Sequence, residues 1–101
     1  VDLKILNPTI TNTNGTKPAS GIDIEPNANS ERLQKISIIN PSTDNNEGNG
    51  IEIYLGRLQG TEYPVDITIN DTSKVKDGYK VLDTGNVTGT IKIGNKTVYK
   101  N

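Results

Sequence analysis

Two acidic residues, written into the same short phrase, give this chain its strongest chemical signal. Residues 21–25 read Gly21-Ile22-Asp23-Ile24-Glu25 and residues 50–54 read Gly50-Ile51-Glu52-Ile53-Tyr54, with a looser third copy at Gly78-Tyr79-Lys80-Val81-Leu82. Each copy alternates apolar and polar residues, the period-2 mark of a strand with one buried face. Stacking the copies in register places Asp23, Glu52 and Lys80 in one outward column and Glu25, Tyr54 and Leu82 in the next. Neighbouring strands lie about 4.8 Å apart, so the Asp23 and Glu52 carboxylates are expected roughly 5 Å from one another, near the spacing of a retaining glycosidase pair. Like charges that close push one carboxyl pKa upward, which sets a general acid beside a base. Lys80 would offset the repulsion, and Tyr54 is placed to donate or accept a proton. Asp23, Glu52 and Tyr54 are therefore the candidate catalytic residues. Glu25, Lys80, Arg32 and Arg57 are the candidate substrate-binding residues, the two arginines lying on long connections that would wall the strip into a groove for an anionic sugar chain. The same column also reads as an outer face of mixed charge that keeps a sheet soluble and pairs across its strands.

The elements that must position these residues repeat as well. Leu3-Lys4-Ile5-Leu6-Asn7-Pro8 matches Ile36-Ser37-Ile38-Ile39-Asn40-Pro41, and shorter relatives follow at Ile67-Thr68-Ile69-Asn70-Asp71 and Ile91-Lys92-Ile93-Gly94-Asn95. A turn then runs strand, Asn-centred bend, short middle segment, Gly, strand, variable loop. Like residues recurring at fixed spacing are what a stacked solenoid produces. The reading is an all-β chain of about three to four solenoid turns, roughly 1–32, 33–62, 63–86 and 87–101, with Ile22 over Ile51 and Ile24 over Ile53 inside. Asn7, Asn40 and Asn70 are expected to form an amide ladder at one corner. Lys17 to Ser20 reads as a surface bulge, and Ser30 as the N-cap of one helical turn over Ser30-Glu31-Arg32-Leu33. Proline stands at bends (Pro8, Pro26, Pro41, Pro64) and never within a strand, as ladder hydrogen bonding requires. A β-sandwich is the rival architecture, since short strands between turns also fit it; it gives no reason for a repeated register.

Composition narrows the chemistry. The chain has 101 residues, one domain's worth, with a net charge of −1 and no basic block, so the electrostatic footprint of a nucleic-acid binder is missing. No apolar run approaches the ~20 residues that span a bilayer. Cys and His are both absent, which excludes thiol nucleophiles, the usual zinc sites and Ser-His-Asp triads. Ile, Asn and Thr number 13, 13 and 12 while Phe, Trp and Met are absent, a mix suited to pleated strands and stacked corners rather than to a bulky aromatic core. Asp44-Asn45-Asn46-Glu47-Gly48-Asn49-Gly50 is dense in oxygen ligands, but on a calcium-loop template starting at Asn45 the closing Glu falls on Gly56. It reads as a solvated corner, and neither metal nor cofactor is expected.

With its Asn-Pro bends (Asn7-Pro8, Asn40-Pro41), its Asn- and Gly-rich corners (Asn12 to Gly15, Asn45 to Gly50) and its two Gly-Ile-acid-Ile strands, the chain resembles a right-handed parallel β-helix of the pectate-lyase-like superfamily. The resemblance covers nearly the whole chain and consists of repeat grammar rather than a catalytic signature. It implies a carbohydrate-binding or polysaccharide-processing protein acting on an acidic glycan, as a lyase, an epimerase or a glycoside hydrolase if it is an enzyme. The alternative within the same resemblance is a non-catalytic structural or adhesive shaft, as in a phage tailspike or a bacterial surface protein. Either implies an extracellular, cell-surface or virion setting. Strands starting at residue 3 and no amphipathic cap at either end lead to a further expectation. The chain is a segment of a longer solenoid, its ends covered by further turns or by a second protomer.

Overall fold

The computed structural model describes residues 3–27, 32–58, 64–82 and 87–98, with the backbone of 99 and 100. The helical turn expected at Ser30 begins outside them. The described residues contain strands and no helix: β1 (Leu3–Leu6), β2 (Thr9–Thr11), β3 (Ile22–Ile24), β4 (Ile36–Ile39), β5 (Ser42–Asp44), β6 (Ile51–Tyr54), β7 (Val65–Asn70), β8 (Lys74–Val75), β9 (Tyr79–Leu82), β10 (Gly89–Ile93) and β11 (Lys96–Lys100).

Every third strand pairs with the last of its kind. The sheets run β1-β4-β7-β10-β11, β2-β5-β8 and β3-β6-β9, and all pairs are parallel except β10 with β11. Alternation along each strand is what lets one face close on the core. In the first sheet Leu3, Ile36, Ile67 and Ile91 share one column and Ile5, Ile38, Ile69 and Ile93 the next. In the third, Ile22 lies beside Ile51 and Ile24 beside Ile53, the register expected from the sequence. Ile51, Ile53, Leu55, Val65, Ile67, Ile69, Val87 and Ile91 are fully buried, which fixes the core at the middle rungs. Removing such aliphatic surface from water supplies the main driving force, at roughly 25 cal/mol per Å².

The second sheet has no aliphatic run and was not apparent as a strand series in the sequence. Its inward column is Ile10, Thr43 and Val75. The buried Thr43 satisfies its hydroxyl locally, accepting from the Lys76 amide at 3.0 Å and donating to the Lys76 carbonyl at 3.1 Å.

Two corners are held by side chains in left-handed backbone. Asn7, Asn40 and Asp71 have φ of 53, 55 and 59°, and Asn12, Asn45 and Asp77 have 63, 54 and 67°. Asn and Asp tolerate this region better than other residues with a Cβ. Asn40 Nδ2 donates to Asn7 Oδ1 at 2.9 Å and Asn45 Nδ2 donates to Asn12 Oδ1 at 2.7 Å. The first ladder departs from the expected series at its third member. Ile39 pairs with Asn70, so the residue stacked on Asn40 is Asp71, because β7 extends one residue further than the repeat phrase implies. A second correction concerns Ala19 and Ser20, which are buried beside Gly48 rather than bulging outward. The stretch expected as a fourth turn supplies β10 and then reverses at Gly94, whose φ of 65° suits the first central position of a two-residue hairpin turn. Strand β11 thereby covers the edge of β10 in antiparallel pairing.

Candidate functional site

The outer face of β3, β6 and β9 collects the candidate residues. Parallel register sets Asp23 beside Glu52 and Glu52 beside Lys80, while Tyr54 pairs with Leu82 and Glu25 follows the end of β3. Gly21 and Gly50 start the two best copies because the corner closes tightly there. A Cβ on Gly50 would run into the Lys76 carbonyl, the Thr43 hydroxyl and Val75. The recurring Gly is thus a contact with the neighbouring rung, and it fixes where each acidic strand begins.

Asp23, Glu25 and Glu52 bring carboxylate oxygens within 4.8 Å of one another. Asp23 and Glu52 meet through the stacking of rungs. Glu25 joins them because residues two apart on a strand point to the same side. Burial raises the Asp23 carboxyl pKa above its ordinary value, and the negative charges of Glu25 and then Glu52 raise it further. Burial and like charge both favour the neutral form of this carboxyl.

The cations are arranged less symmetrically than the columns imply. Arg57 Nη1 lies 3.3 Å from Glu25 Oε2, and the guanidinium carbon is 5.8 Å from the centroid of the Tyr54 ring, within cation–π range. Tyr54 in turn lies against Gly56, where any Cβ would meet its ring and hydroxyl. Glu25, Arg57 and Tyr54 therefore form one connected unit, a pairing that sequence columns alone do not reveal because Arg57 lies beyond the strand. Lys80 is exposed, and among the described residues it makes no ion pair with Glu52. Arg32 is half-buried and engaged in an interaction of its own.

The Asn-rich corner is exposed at Asp44, Asn45 and Glu47, as a solvated corner should be, and is anchored by one buried side chain. Asn46 is buried, its Oδ1 accepting from the Thr13 amide at 3.0 Å and its Nδ2 donating to the Ile10 carbonyl at 3.2 Å. Glu47 Oε2 accepts from the Gly15 amide at 3.3 Å. Its polar groups tie one rung to the next.

Chemically, the face offers a carboxyl biased toward its protonated form, a second carboxylate in direct register, and a phenol oriented by a guanidinium. Comparison of the chain with protein-family models, with curated proteins and with solved structures gives no match.

Proposed function

We propose that this chain is a stretch of right-handed parallel β-helix of the pectate-lyase-like kind that contacts a polysaccharide through the β3–β6–β9 face. The right-handed sense rests on the general crossover preference of parallel strands. The observation that carries the functional reading is the registered Asp23–Glu52 pair with Glu25 inside the same 4.8 Å group. An Asp23 pKa raised by burial and by the neighbouring Glu25 and Glu52 carboxylates suits the acid half of the paired-carboxyl chemistry of glycosidic bond cleavage, with Glu52 in register as its partner. Tyr54, held by Arg57, is the group that would flank a sugar ring or take its proton. An extracellular, cell-surface or virion setting belongs to the same reading, as does coverage of the ends by further turns or a second protomer.

The alternative is a non-catalytic shaft or adhesin segment. It is favoured by the exposure of Asp23 and by the engagement of Arg57 with Glu25, which leaves an acidic polymer less free positive charge to meet. Titration calorimetry with oligogalacturonides and with neutral oligosaccharides, together with an assay for chain cleavage, separates the two. Under the proposed reading Glu52→Gln weakens binding or cleavage at least about tenfold, as does Tyr54→Ala, the loss expected when one well-placed polar contact is removed. Binding that is absent, or unchanged in both variants, leaves the face as a solubilising surface.

A further inference from the structure

We propose that the outer side of the first sheet carries a second ligand site, a groove at the entry to β4 and β7 that holds one residue of a sugar acid. The ligand carboxylate lies between Lys4 and Lys35, and its hydroxyls meet Asp66, Ser37 and Thr68. The groove shares its glycan chemistry with the reading above, but it lies on another sheet, uses none of Asp23, Glu25 and Glu52, and is tested apart from that face.

Alternation puts hydroxyls on this side of the sheet. Ile36, Ile38, Ile67 and Ile69 are buried, so Ser37 and Thr68 between them face outward. Register sets Lys4, Ser37, Thr68 and Lys92 in one column, with lysine at both ends, two hydroxyls between and no acid. The column runs along the side of the stack, so a strand added beyond β1 would lengthen it rather than cover it. Lys4, Lys35, Ser37, Asp66 and Thr68 line a groove of about 370 Å³, within the ~300–1,000 Å³ of small-molecule sites.

Lys35 enters this groove from an uncommon backbone conformation. It precedes Ile36 as Asp66 precedes Ile67, and those two isoleucines pair, so opposite charges stand one strand spacing apart. Neither Lys35 nor Lys4 forms an ion pair with Asp66 among the described residues. Lys35 has a φ of 55°, in the left-handed region, which takes it out of the strand column. That region is sparsely populated by residues with a long side chain and persists only where the surroundings hold it. Backbone hydrogen bonds flank it here. The Lys35 carbonyl accepts from the Leu3 amide at 3.0 Å, and the Leu33 carbonyl accepts from the Asp66 amide at 2.8 Å.

Charge and hydrogen bonding together select the ligand. Two ammonium groups against one carboxylate leave the groove with a single net positive charge, which suits a monoanion. A phosphate dianion would meet Asp66 as a like charge, and a neutral sugar would leave both ammonium groups without a counterion. Beyond the charges, Asp66 accepts hydrogen bonds, while the Ser37 and Thr68 hydroxyls can donate or accept. Adjacent hydroxyls on one ring fill such a set. A sugar acid carries both the single charge and those hydroxyls.

An NMR titration of the 101-residue chain with the methyl glycoside of galacturonic acid tests this, with methyl galactoside and inorganic phosphate as comparisons. The sugar acid is expected to give saturable shifts at the Lys35, Ser37 and Thr68 amides. The galactoside and phosphate should each bind about threefold to fivefold more weakly, the size of one exposed charge contact. Lys35→Gly should weaken the sugar acid by about the same factor, and Lys35→Arg should retain it. Lys35 is exposed and glycine adopts its φ freely, so the fold is kept, as circular dichroism can verify. The absence of saturable shifts at these amides would overturn the proposal. So would galactoside or phosphate binding as tightly as the sugar acid, or a Lys35→Gly variant that binds as the parent does. Shifts at Glu52 and Tyr54 report on the other face. Shifts there alone would overturn this groove and leave that face standing, whereas Ser37 and Thr68 shifts that survive Glu52→Gln support the groove whatever the other face does.

Discussion

Asn40 shows at the scale of one residue why the Asn corner stops where it does. Its Nδ2 donates to Asn7, but its own Oδ1 is buried and accepts no hydrogen bond among the described residues. The residue stacked on it is Asp71, in the same left-handed conformation, whose carboxylate oxygen accepts from the Ser73 hydroxyl and carries no amide donor. Asp71→Asn would supply that donor and carry the ladder one rung further. An orphaned buried acceptor costs about 1–3 kcal/mol, so the variant is expected to be more stable by about 1 kcal/mol in urea unfolding. Asp23 makes the opposite case. Its folded pKa is raised, so the folded state holds this proton more tightly than the unfolded chain. Stability from this group is highest at acid pH and falls as pH rises from the unfolded pKa to the folded one, then stays at the lower level. Asp23→Asn should remove that decline and raise stability near neutrality by about 0.5 kcal/mol, a small gain because the carboxylate is solvent-screened. Unfolding curves at pH 3 and pH 7 for both proteins check the sign.

At the scale of elements, the columns set the energetics. Ile53 is fully buried between Ile24 and Val81, and Ile53→Ala should cost about 3 kcal/mol, the usual loss for emptying a core site. Gly50→Ala should be comparably damaging although it adds a single carbon, because the new Cβ has no space against Lys76 and Thr43. Thermal unfolding of the two variants tests both. These elements also show what could be read in advance. The Ile22–Ile51 and Ile24–Ile53 pairing was legible because the repeated phrase aligns like with like and a one-residue slip would turn its isoleucines outward. The Asp23–Glu52 contact followed from it. The second sheet was not legible, since Thr9–Thr11, Ser42–Asp44 and Lys74–Val75 share no apolar signature; Thr43 is buried there through hydrogen bonds rather than hydrophobicity. Nor was the Arg57–Glu25 pair, which depends on how the chain turns after Tyr54. The reversal into β11 had one local signal, the Gly94-Asn95 dipeptide, which the repeat pattern absorbed.

At the scale of the whole molecule, the sequence repeats lie in parallel register upon one another across three sheets, and the first sheet continues through β10 and β11 beyond the other two. Such stacking brings together residues about thirty positions apart and places two carboxylates side by side. The most direct test is a set of through-space proton contacts measured by NMR on uniformly labelled protein. The stacked arrangement requires backbone contacts of the parallel type linking Ile22 to Ile51, Ile51 to Tyr79, and Asp23 to Glu52, and side-chain contacts running Leu3–Ile36–Ile67–Ile91. Antiparallel contacts between consecutive strands such as β3 and β4, without the Ile22–Ile51 and Asp23–Glu52 contacts, would mean a sandwich and would contradict both the fold and the site built on it.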